Sequence, residues 1–162
     1  FQLTSVIGIE NLTIVNTQDA LLISKTDEVK NINQLLVQLK TLNKKELTDN
    51  NLVYRPWGYF NSISCNDNYQ IKIISLNPGA KISLQKHEYR SEHWIVISGV
   101  ATVTLGENVF KLRVNESTFI PKGEIHRLSN NQGDELKIIE VQTGDYLGED
   151  DIIRFDDIYK RP

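Results

Sequence analysis

Four residues in the second half of this sequence carry side chains that could together bind a divalent metal ion: Gln85, His87, Glu92 and His126. Side chains alternate between the two faces of a β-strand, so Gln85 and His87 are predicted to point the same way. A turn through residues 88–91 can bring Glu92 back beside them, and His126 begins a further β-prone run. One amide oxygen, two imidazoles and one carboxylate suit Zn²⁺, Mn²⁺, Fe²⁺, Co²⁺ or Ni²⁺. Spacing alone leaves the choice among these ions open.

The elements that must position these side chains are short β-strands. From Tyr54 to the end of the chain no long helical pattern appears, while β-prone runs recur at short intervals. The runs are YQIKIISL, KISLQKH, HWIVIS, VATVTL, NVFKLRV, STFIP, IHRLSN and ELKIIEVQ. Combinations of Asn, Pro, Gly and Ser separate them, and these residues favour the backbone angles of tight turns. Eight or so short strands at this spacing predict an all-β sandwich or a closed barrel.

The first fifty residues have a different pattern. Three β-prone runs, VIGIE, LTIVNT and ALLIS, are too few to enclose a core. After them comes an apolar stripe at helical spacing, which predicts an amphipathic helix over about 28–41. The stripe consists of Val29, Ile32, Leu35, Leu36 and Leu39. The polar stretch at 43–51 predicts a linker. We therefore expect two regions, 1–50 and 51–162, with the candidate ligands in the second.

The composition argues against several classes of function. The net charge of −3 comes from 18 basic and 21 acidic side chains spread along the chain, which provides no field for nucleic acid or an anionic membrane. The single cysteine, Cys65, allows no internal disulfide and favours a reducing, cytoplasmic setting. No apolar run approaches the roughly 20 residues of a membrane span. The chain opens on Phe1 and contains no methionine, so we expect it to be a piece of a longer protein.

Glycine and proline frame the candidate ligands in a pattern that resembles the two sequence motifs of the cupins. The framed residues are Gly79, Gln85-x-His87, Glu92 and Gly99 in the first motif, and Pro121-x-Gly123, His126 and Asn130 in the second. Gln85 departs from the histidine that many cupins have there, and Asn115 stands where the second motif usually begins with glycine. Asn tolerates a left-handed backbone, so that change is mild. The resemblance implies an all-β cupin fold, a double-stranded β-helix or jelly-roll barrel, preceded by short β segments and one amphipathic helix.

Longer strings resemble one kind of cupin, the isomerase domain of bifunctional mannose-1-phosphate guanylyltransferase/mannose-6-phosphate isomerases. The strings are Arg55-Pro56-Trp57-Gly58, LQKHEYRSEHWIVISG, IPKGEIHRLSN and EVQTGDYLGEDDIIRFDDIY. The resemblance implies a sugar-phosphate substrate and one divalent ion, zinc first and manganese, cobalt, nickel or iron as alternatives. It implies as ligands Gln85, His87, Glu92 and His126. Residues 12–40 resemble the segment that joins the transferase half to the isomerase half, and the transferase's glycine-rich nucleotide motif is absent from this chain.

The implied reaction moves a proton between the first and second carbons of mannose 6-phosphate and fructose 6-phosphate. Its proton carrier needs a pKa near neutrality and a position near the metal, so the candidates are Glu88, Tyr89, His93 and Lys122. Close to the candidate ligands in sequence, Glu88 and Arg90 are the predicted catalytic residues. A phosphate favours the forked donors of arginine, so we expect Arg90 first and Arg154 second to bind it. His93 should point to the opposite face of the strand from Glu92.

The sequence leaves two other functions open. A cupin module could bind a sugar or nucleotide sugar without catalysis and help the missing transferase half to assemble, although the presence of all four ligands favours an enzyme. An iron-dependent oxygenase could also use two histidines and a carboxylate, although Gln85 argues against it. The apolar strands and helix face of the first region would be exposed without the transferase half, which predicts a homodimer.

Overall fold

A computed structural model describes residues 4–17, 20–42 and 51–159 of the chain. The chain divides into two compact units, Phe1–Asn51 and Leu52–Pro162. This division lies next to the boundary predicted after residue 50. The linker predicted at 43–51 falls, apart from Asn51, outside the described residues. None of the helices within the described ranges combines the length and the apolar character that crossing a bilayer requires.

The first unit contains a β-hairpin followed by helix. Strands β1 (Leu12–Asn16) and β2 (Leu21–Lys25) pair antiparallel, as their sequence runs predict. The run VIGIE, by contrast, is not a strand. The predicted helix over 28–41 is also corrected, because Thr26–Asn31 is a 3₁₀-helix and α1 spans only Ile32–Thr41. The Asn31 side chain donates to the Glu28 carboxylate, so it does not cap the first N–H groups of α1. A 3₁₀ turn is frequent at the N-terminus of an α-helix.

The second unit is built from two antiparallel sheets. Its described residues form eleven strands: β3 (Leu52–Arg55), β4 (Gly58–Cys65), β5 (Tyr69–Leu76), β6 (Leu84–Lys86), β7 (Arg90–Ser98), β8 (Ala101–Leu105), β9 (Asn108–Leu112), β10 (Ser117–Ile120), β11 (His126–Ser129), β12 (Leu136–Gly144) and β13 (Ile153–Asp156). One sheet has the order β10-β7-β12-β5-β4-β3 and the other has the order β13-β6-β11-β8-β9. Strands β3, β4 and β13 were not among the predicted runs.

One hydrophobic core lies between the two sheets. Alternate residues of each long strand point inward, so β7 and β12 are buried at every second position over most of their length. Both sheets contribute to a single cluster of buried side chains. Its fully buried members include Leu76, Trp94, Val96, Val103, Ile120, Leu128 and Ile138. Asn115, in the turn before β10, has a φ of 70°, which confirms that it takes the left-handed backbone expected in place of glycine.

Candidate metal centre

Three of the predicted metal ligands come together in the interior of the second unit. His87 follows β6, Glu92 lies on β7 and His126 is the first residue of β11, so three separate segments supply them. One ligand atom of each side chain lies within 4.8 Å of those of the other two. His87 Nε2 is 3.0 Å from Glu92 Oε1, and His126 Nε2 is 3.6 Å from Glu92 Oε2. All three side chains are buried. This cluster differs from an exposed acidic patch, because its polar groups are buried. Burying such groups costs free energy unless an ion or another partner compensates for the lost solvation.

The imidazole nitrogens of the cluster fit a metal ion. Both ring nitrogens of His87 and Nε2 of His126 are buried and have no hydrogen-bond partner among the residues that the structure describes. The 3.0 Å contact between His87 and Glu92 is short but not aligned as a hydrogen bond, so we treat it as electrostatic. His126 Nδ1 is 2.9 Å from the carbonyl oxygen of Glu124. With the proton on Nδ1, the Nε2 lone pair is left for coordination, which would satisfy a nitrogen that is otherwise costly to bury.

Gln85, the fourth predicted ligand, lies beside this cluster. It pairs in register with His126 across β6 and β11, and it lines the same cavity as Glu92. Its amide Oε1 accepts a hydrogen bond of 2.8 Å from Ser83 Oγ. An amide oxygen has two lone pairs, so one remains available to an ion. The role of Gln85 as a ligand stays a prediction.

Strand β12 brings a second carboxyl group and an amide to the site. In register, Gln142 lies opposite Glu92 and Glu140 lies opposite Trp94. Trp94 Nε1 donates to Glu92 Oε2 at 3.0 Å and to Glu140 Oε1 at 3.1 Å. Gln142 Nε2 donates to Glu92 Oε1 at 3.0 Å and to Glu140 Oε2 at 2.9 Å. Each oxygen of Glu92 therefore has a donor that orients it, which is the usual support of a ligating carboxylate.

Of the two neighbouring carboxyl groups, Glu92 and Glu140, Glu92 carries the negative charge. Burial alone would raise the pKa of Glu92, but His87, His126 and Arg90 outweigh burial and bring the pKa well below its usual value. Burial, together with the charge of Glu92, raises the pKa of Glu140 well above its usual value. Burial also lowers the pKa of His126, which keeps the ring in the neutral form that binds metals. The cluster thus offers an ionised carboxylate and a neutral imidazole.

Arg90 and Arg154, the predicted phosphate ligands, both line the cavity that the cluster adjoins. Arg90 is buried, its Nη1 donates to the Gly148 carbonyl oxygen at 2.7 Å, and its Nε is 3.6 Å from Glu92 Oε1. Arg154 lies on β13 and pairs in register with Gln85. Their position suits contact with an anion in the cavity, and their roles stay predictions.

Glu88 does not line the cavity, and its predicted catalytic role stays a prediction. Its side chain is 52% exposed, and its carboxylate is 3.6 Å from Lys86 Nζ. The turn after His87 places the Glu88 backbone N–H, rather than its carboxylate, toward the second unit's interior, where it donates to Asp151 Oδ1 at 3.0 Å. His93 is exposed on the face of β7 opposite Glu92, as alternation predicts.

Several polar residues that line or support the site were not predicted from the sequence, namely Lys72, Trp94, Glu140 and Gln142. A signal for three of them was available. Lys72 in β5, and Glu140 and Gln142 in β12, stand at alternate positions otherwise occupied by buried aliphatic side chains. A polar side chain on the core face of a strand needs a partner or a function.

Comparison with protein families decides where the chain belongs. The family described as "Mannose-6-phosphate isomerase C-terminal" matches residues 42–157. The chain belongs to this family. The resemblance seen in the motifs is therefore confirmed, and it covers the whole of the candidate metal centre.

Members of this family occur in longer proteins. The chain is 49% identical over 160 residues to the alginate biosynthesis protein AlgA of Pseudomonas syringae pv. tomato, which covers 99% of this chain and 33% of that protein. It is 47% identical over 160 residues to the xanthan biosynthesis protein XanB of Xanthomonas campestris pv. campestris, covering 99% and 34%. It is 48% identical over 152 residues to a mannose-1-phosphate guanylyltransferase of Salmonella muenchen, covering 94% and 32%. The chain spans about a third of the length of these relatives.

Solved structures confirm the predicted fold class. The cupin domain of Schizosaccharomyces pombe Cnp3 matches with a TM-score of 0.54 and 15% identity over 61% of this chain and 72% of that one. A double-stranded β-helix protein from Klebsiella pneumoniae matches with a TM-score of 0.54 and 16% identity over 68% of this chain and 89% of that one. At such identities the likeness shows the fold alone, an all-β cupin.

We predict that Trp94→Phe weakens metal binding by this isomerase-family chain about 10- to 100-fold. The phenyl ring keeps most of the buried aromatic volume, but the N–H that orients Glu92 and Glu140 is lost. Competition with a chromophoric chelator measures the affinity. Trp57→Phe is the matched control, because Trp57 is also buried and lines the cavity, yet its Nε1 has no partner in the described ranges. Equal affinities for the two variants would contradict the prediction.

Proposed function

We propose that this chain is a metal-dependent aldose–ketose isomerase that interconverts mannose 6-phosphate and fructose 6-phosphate. The observation that carries the proposal is the buried cluster of His87, Glu92 and His126 inside a member of this family. Both ring nitrogens of His87 and Nε2 of His126 lack hydrogen-bond partners among the described residues. A module that only bound a sugar would have no use for three converging ligand groups in its interior. The cluster therefore favours catalysis over binding alone.

One divalent ion is the proposed cofactor, held by Gln85, His87, Glu92 and His126. The set contains nitrogen and oxygen donors and no sulfur, so we propose zinc first, with manganese, cobalt, nickel and iron as alternatives. When bound, the ion supplies a Lewis acid that stabilises negative charge on the sugar oxygens. Trp94 and Gln142 hold the carboxylate of Glu92 in its place.

The protein's own cations would orient the substrate. Arg90 and Arg154 line the cavity, and a guanidinium can bind a phosphate through two parallel N–H groups. Arg90 is held by Gly148 on one side and faces Glu92 on the other, so we propose that it positions the reacting end of the sugar relative to the ligand cluster. Glu88 is left out of the proposed site because its carboxylate lies at the surface.

The names of the relatives suggest a wider setting. AlgA and XanB are named for alginate and xanthan biosynthesis, and the Salmonella relative is named for mannose-1-phosphate guanylyltransferase. We propose that the reaction serves GDP-mannose and polysaccharide biosynthesis in the cytoplasm, beside a guanylyltransferase half. The exposed apolar residues Ile14, Ile23 and Leu35 of the first unit support the proposal of a homodimer, which light scattering that finds only monomer would exclude.

The test is direct assay of the purified chain. Metal-free chain is incubated with fructose 6-phosphate and, separately, Zn²⁺, Mn²⁺, Co²⁺, Ni²⁺ or Fe²⁺, and mannose 6-phosphate is followed by a coupled enzyme assay. We expect product with at least one ion and none after chelation. Stoichiometric metal uptake without product from any ion would overturn the isomerase and favour the non-catalytic cupin module.

A further inference from the structure

The cavity beside the metal cluster is rich in positive charge and small. Its volume is about 60 Å³, which is room for a few water molecules, whereas sites for small organic ligands usually exceed about 300 Å³. Its charged lining consists of the cations Arg55, Lys72, Arg90 and Arg154 and the acidic residues Glu92, Glu140 and Glu149. The enclosed part of the cavity is smaller than a sugar phosphate, so a substrate that reached into it would displace part of this lining.

Lys72 is the cation whose position is hardest to explain without a ligand. It lies on β5, directly opposite Glu140 on the neighbouring strand β12, and its side chain is only 5% exposed. Its ammonium group lies 4.8 Å from the centre of the Phe60 ring. A buried ammonium needs an anion, since burial without one is strongly unfavourable. The anion that it contacts is Glu149, at 2.6 Å from Nζ to Oε1.

Glu149 reaches the cavity from the outside. It lies on a short 3₁₀ turn (Glu149–Asp151) between β12 and β13, and half of its side chain is exposed to solvent. Burial alone would raise the pKa of Glu149, but Lys72 first, then Arg90 and Arg55, lower it below its usual value. The Glu149 carboxylate is thus a charged group surrounded by the cations of the cavity, attached to a segment at the protein surface.

The turn is held independently of this carboxylate. Asp151 accepts hydrogen bonds from the backbone N–H groups of Glu88 at 3.0 Å and Tyr89 at 3.3 Å, and Gly148 accepts from Arg90. The Glu149 side chain can therefore rotate into solvent without loss of these contacts. Such a rotation would enlarge the cavity and leave Lys72 without a counter-ion.

We propose that Lys72 binds the phosphate of the substrate, and that the Glu149 carboxylate occupies this phosphate position until the substrate displaces it. The inference rests on the proposed function and deepens it. A phosphate dianion replaces one carboxylate charge with about two and has more acceptor oxygens, so it competes well for Lys72. A neutral hexose has no anion to exchange for Glu149, so the same pair selects phosphorylated over free sugars.

The experiment measures binding of inorganic phosphate to the full chain by calorimetry. The chain is metal-free, so that no metal ion can bind the phosphate, and the ionic strength is low, so that salt does not screen the charges. Three variants are compared with the unchanged chain. Glu149→Gln removes the competing charge, and we expect roughly three- to ten-fold tighter binding of phosphate. Lys72→Met removes the proposed phosphate ligand, and we expect phosphate to bind at least about ten-fold more weakly. Asp150→Asn changes the neighbouring exposed carboxylate on the same turn, and we expect no change.

Phosphate affinity that is equal or weaker in Glu149→Gln would overturn the inference, as would unchanged affinity in Lys72→Met. Glu149 is at the surface, so its variant decides the question even if Lys72→Met does not fold. The KM of the metal-loaded variants for mannose 6-phosphate should shift in the same directions. Isomerase activity without this pattern overturns the phosphate position alone, whereas the pattern without isomerase activity supports it and overturns the proposed reaction.

Discussion

Replacing Glu92 by glutamine is expected to weaken metal binding more than about 100-fold and to reduce isomerase activity to background. Glutamine keeps the size and shape of glutamate but carries no charge. Glu92 is the ionised carboxylate between His87 and His126, and Trp94 and Gln142 donate to its two oxygens. A glutamine there would also turn its amide N–H₂ toward the N–H group of Trp94 or of Gln142. Two donors would then face each other, which leaves buried polar groups unsatisfied. The metal content after dialysis, measured by mass spectrometry, checks the expectation.

The control for this substitution is Glu107→Gln. Glu107 is exposed in the turn between β8 and β9, outside the cavity. Its substitution should leave both metal content and turnover unchanged. A thermal melt of each variant separates loss of metal from loss of fold. If Glu92→Gln retained one metal ion per chain after dialysis, the cluster would not be the metal site.

Replacing Gly58 by alanine is expected to lower the free energy of unfolding by about 4 kcal/mol or more and the Tm by about 10 °C or more. Gly58 begins β4 with a φ of 143°, a backbone conformation that residues with a side chain rarely adopt. A Cβ there would lie 2.0 Å from the Ser75 carbonyl oxygen and 3.3 Å from the Leu76 Cα. Both atoms belong to the backbone of β5, so the clash cannot be relieved by rotating a side chain.

Gly133→Ala is the matched control for the glycine substitution. A Cβ at Gly133 would meet no atom within 4 Å, and its backbone is outside the left-handed region. We expect a change in stability within about 0.5 kcal/mol, as for other surface substitutions. Chemical denaturation of the two variants measures the difference. Similar stability for both would show that β4 and β5 can separate by enough to accept the extra carbon.

Most of the fold could be predicted from local pattern. Strands β5, β7, β8 and β12 are rich in β-branched and apolar residues and lie between turn signals, so period and propensity agree. Strand β4 was missed because GYFNSISC mixes polar and apolar residues without a clear period. Residues 28–31 of the 3₁₀-helix were predicted to be part of the amphipathic helix because both kinds of helix bring residues three apart to one face.

The candidate ligands could be proposed from sequence because of where they stand along the chain. His87 and Glu92 are separated by one tight turn, and His126 follows a glycine-containing turn, so local geometry already restricts where their side chains go. Glu88 was proposed for the same local reason. Proximity in sequence suggested that its carboxylate reaches the site, whereas the turn directs only its backbone N–H inward, to Asp151.

The sequence by itself determined the type of this protein: an all-β cupin of the mannose-6-phosphate isomerase C-terminal family, with candidate nitrogen and oxygen ligands on inward-facing positions. Only the tertiary structure decided which groups meet around those ligands. Glu140 lies beside Trp94 and Lys72 because β12 is inserted between β7 and β5, and Lys72 meets Glu149 across 77 positions of the chain. Strand order and register depend on how the whole core packs, and alternation within a single strand carries no information about its neighbours.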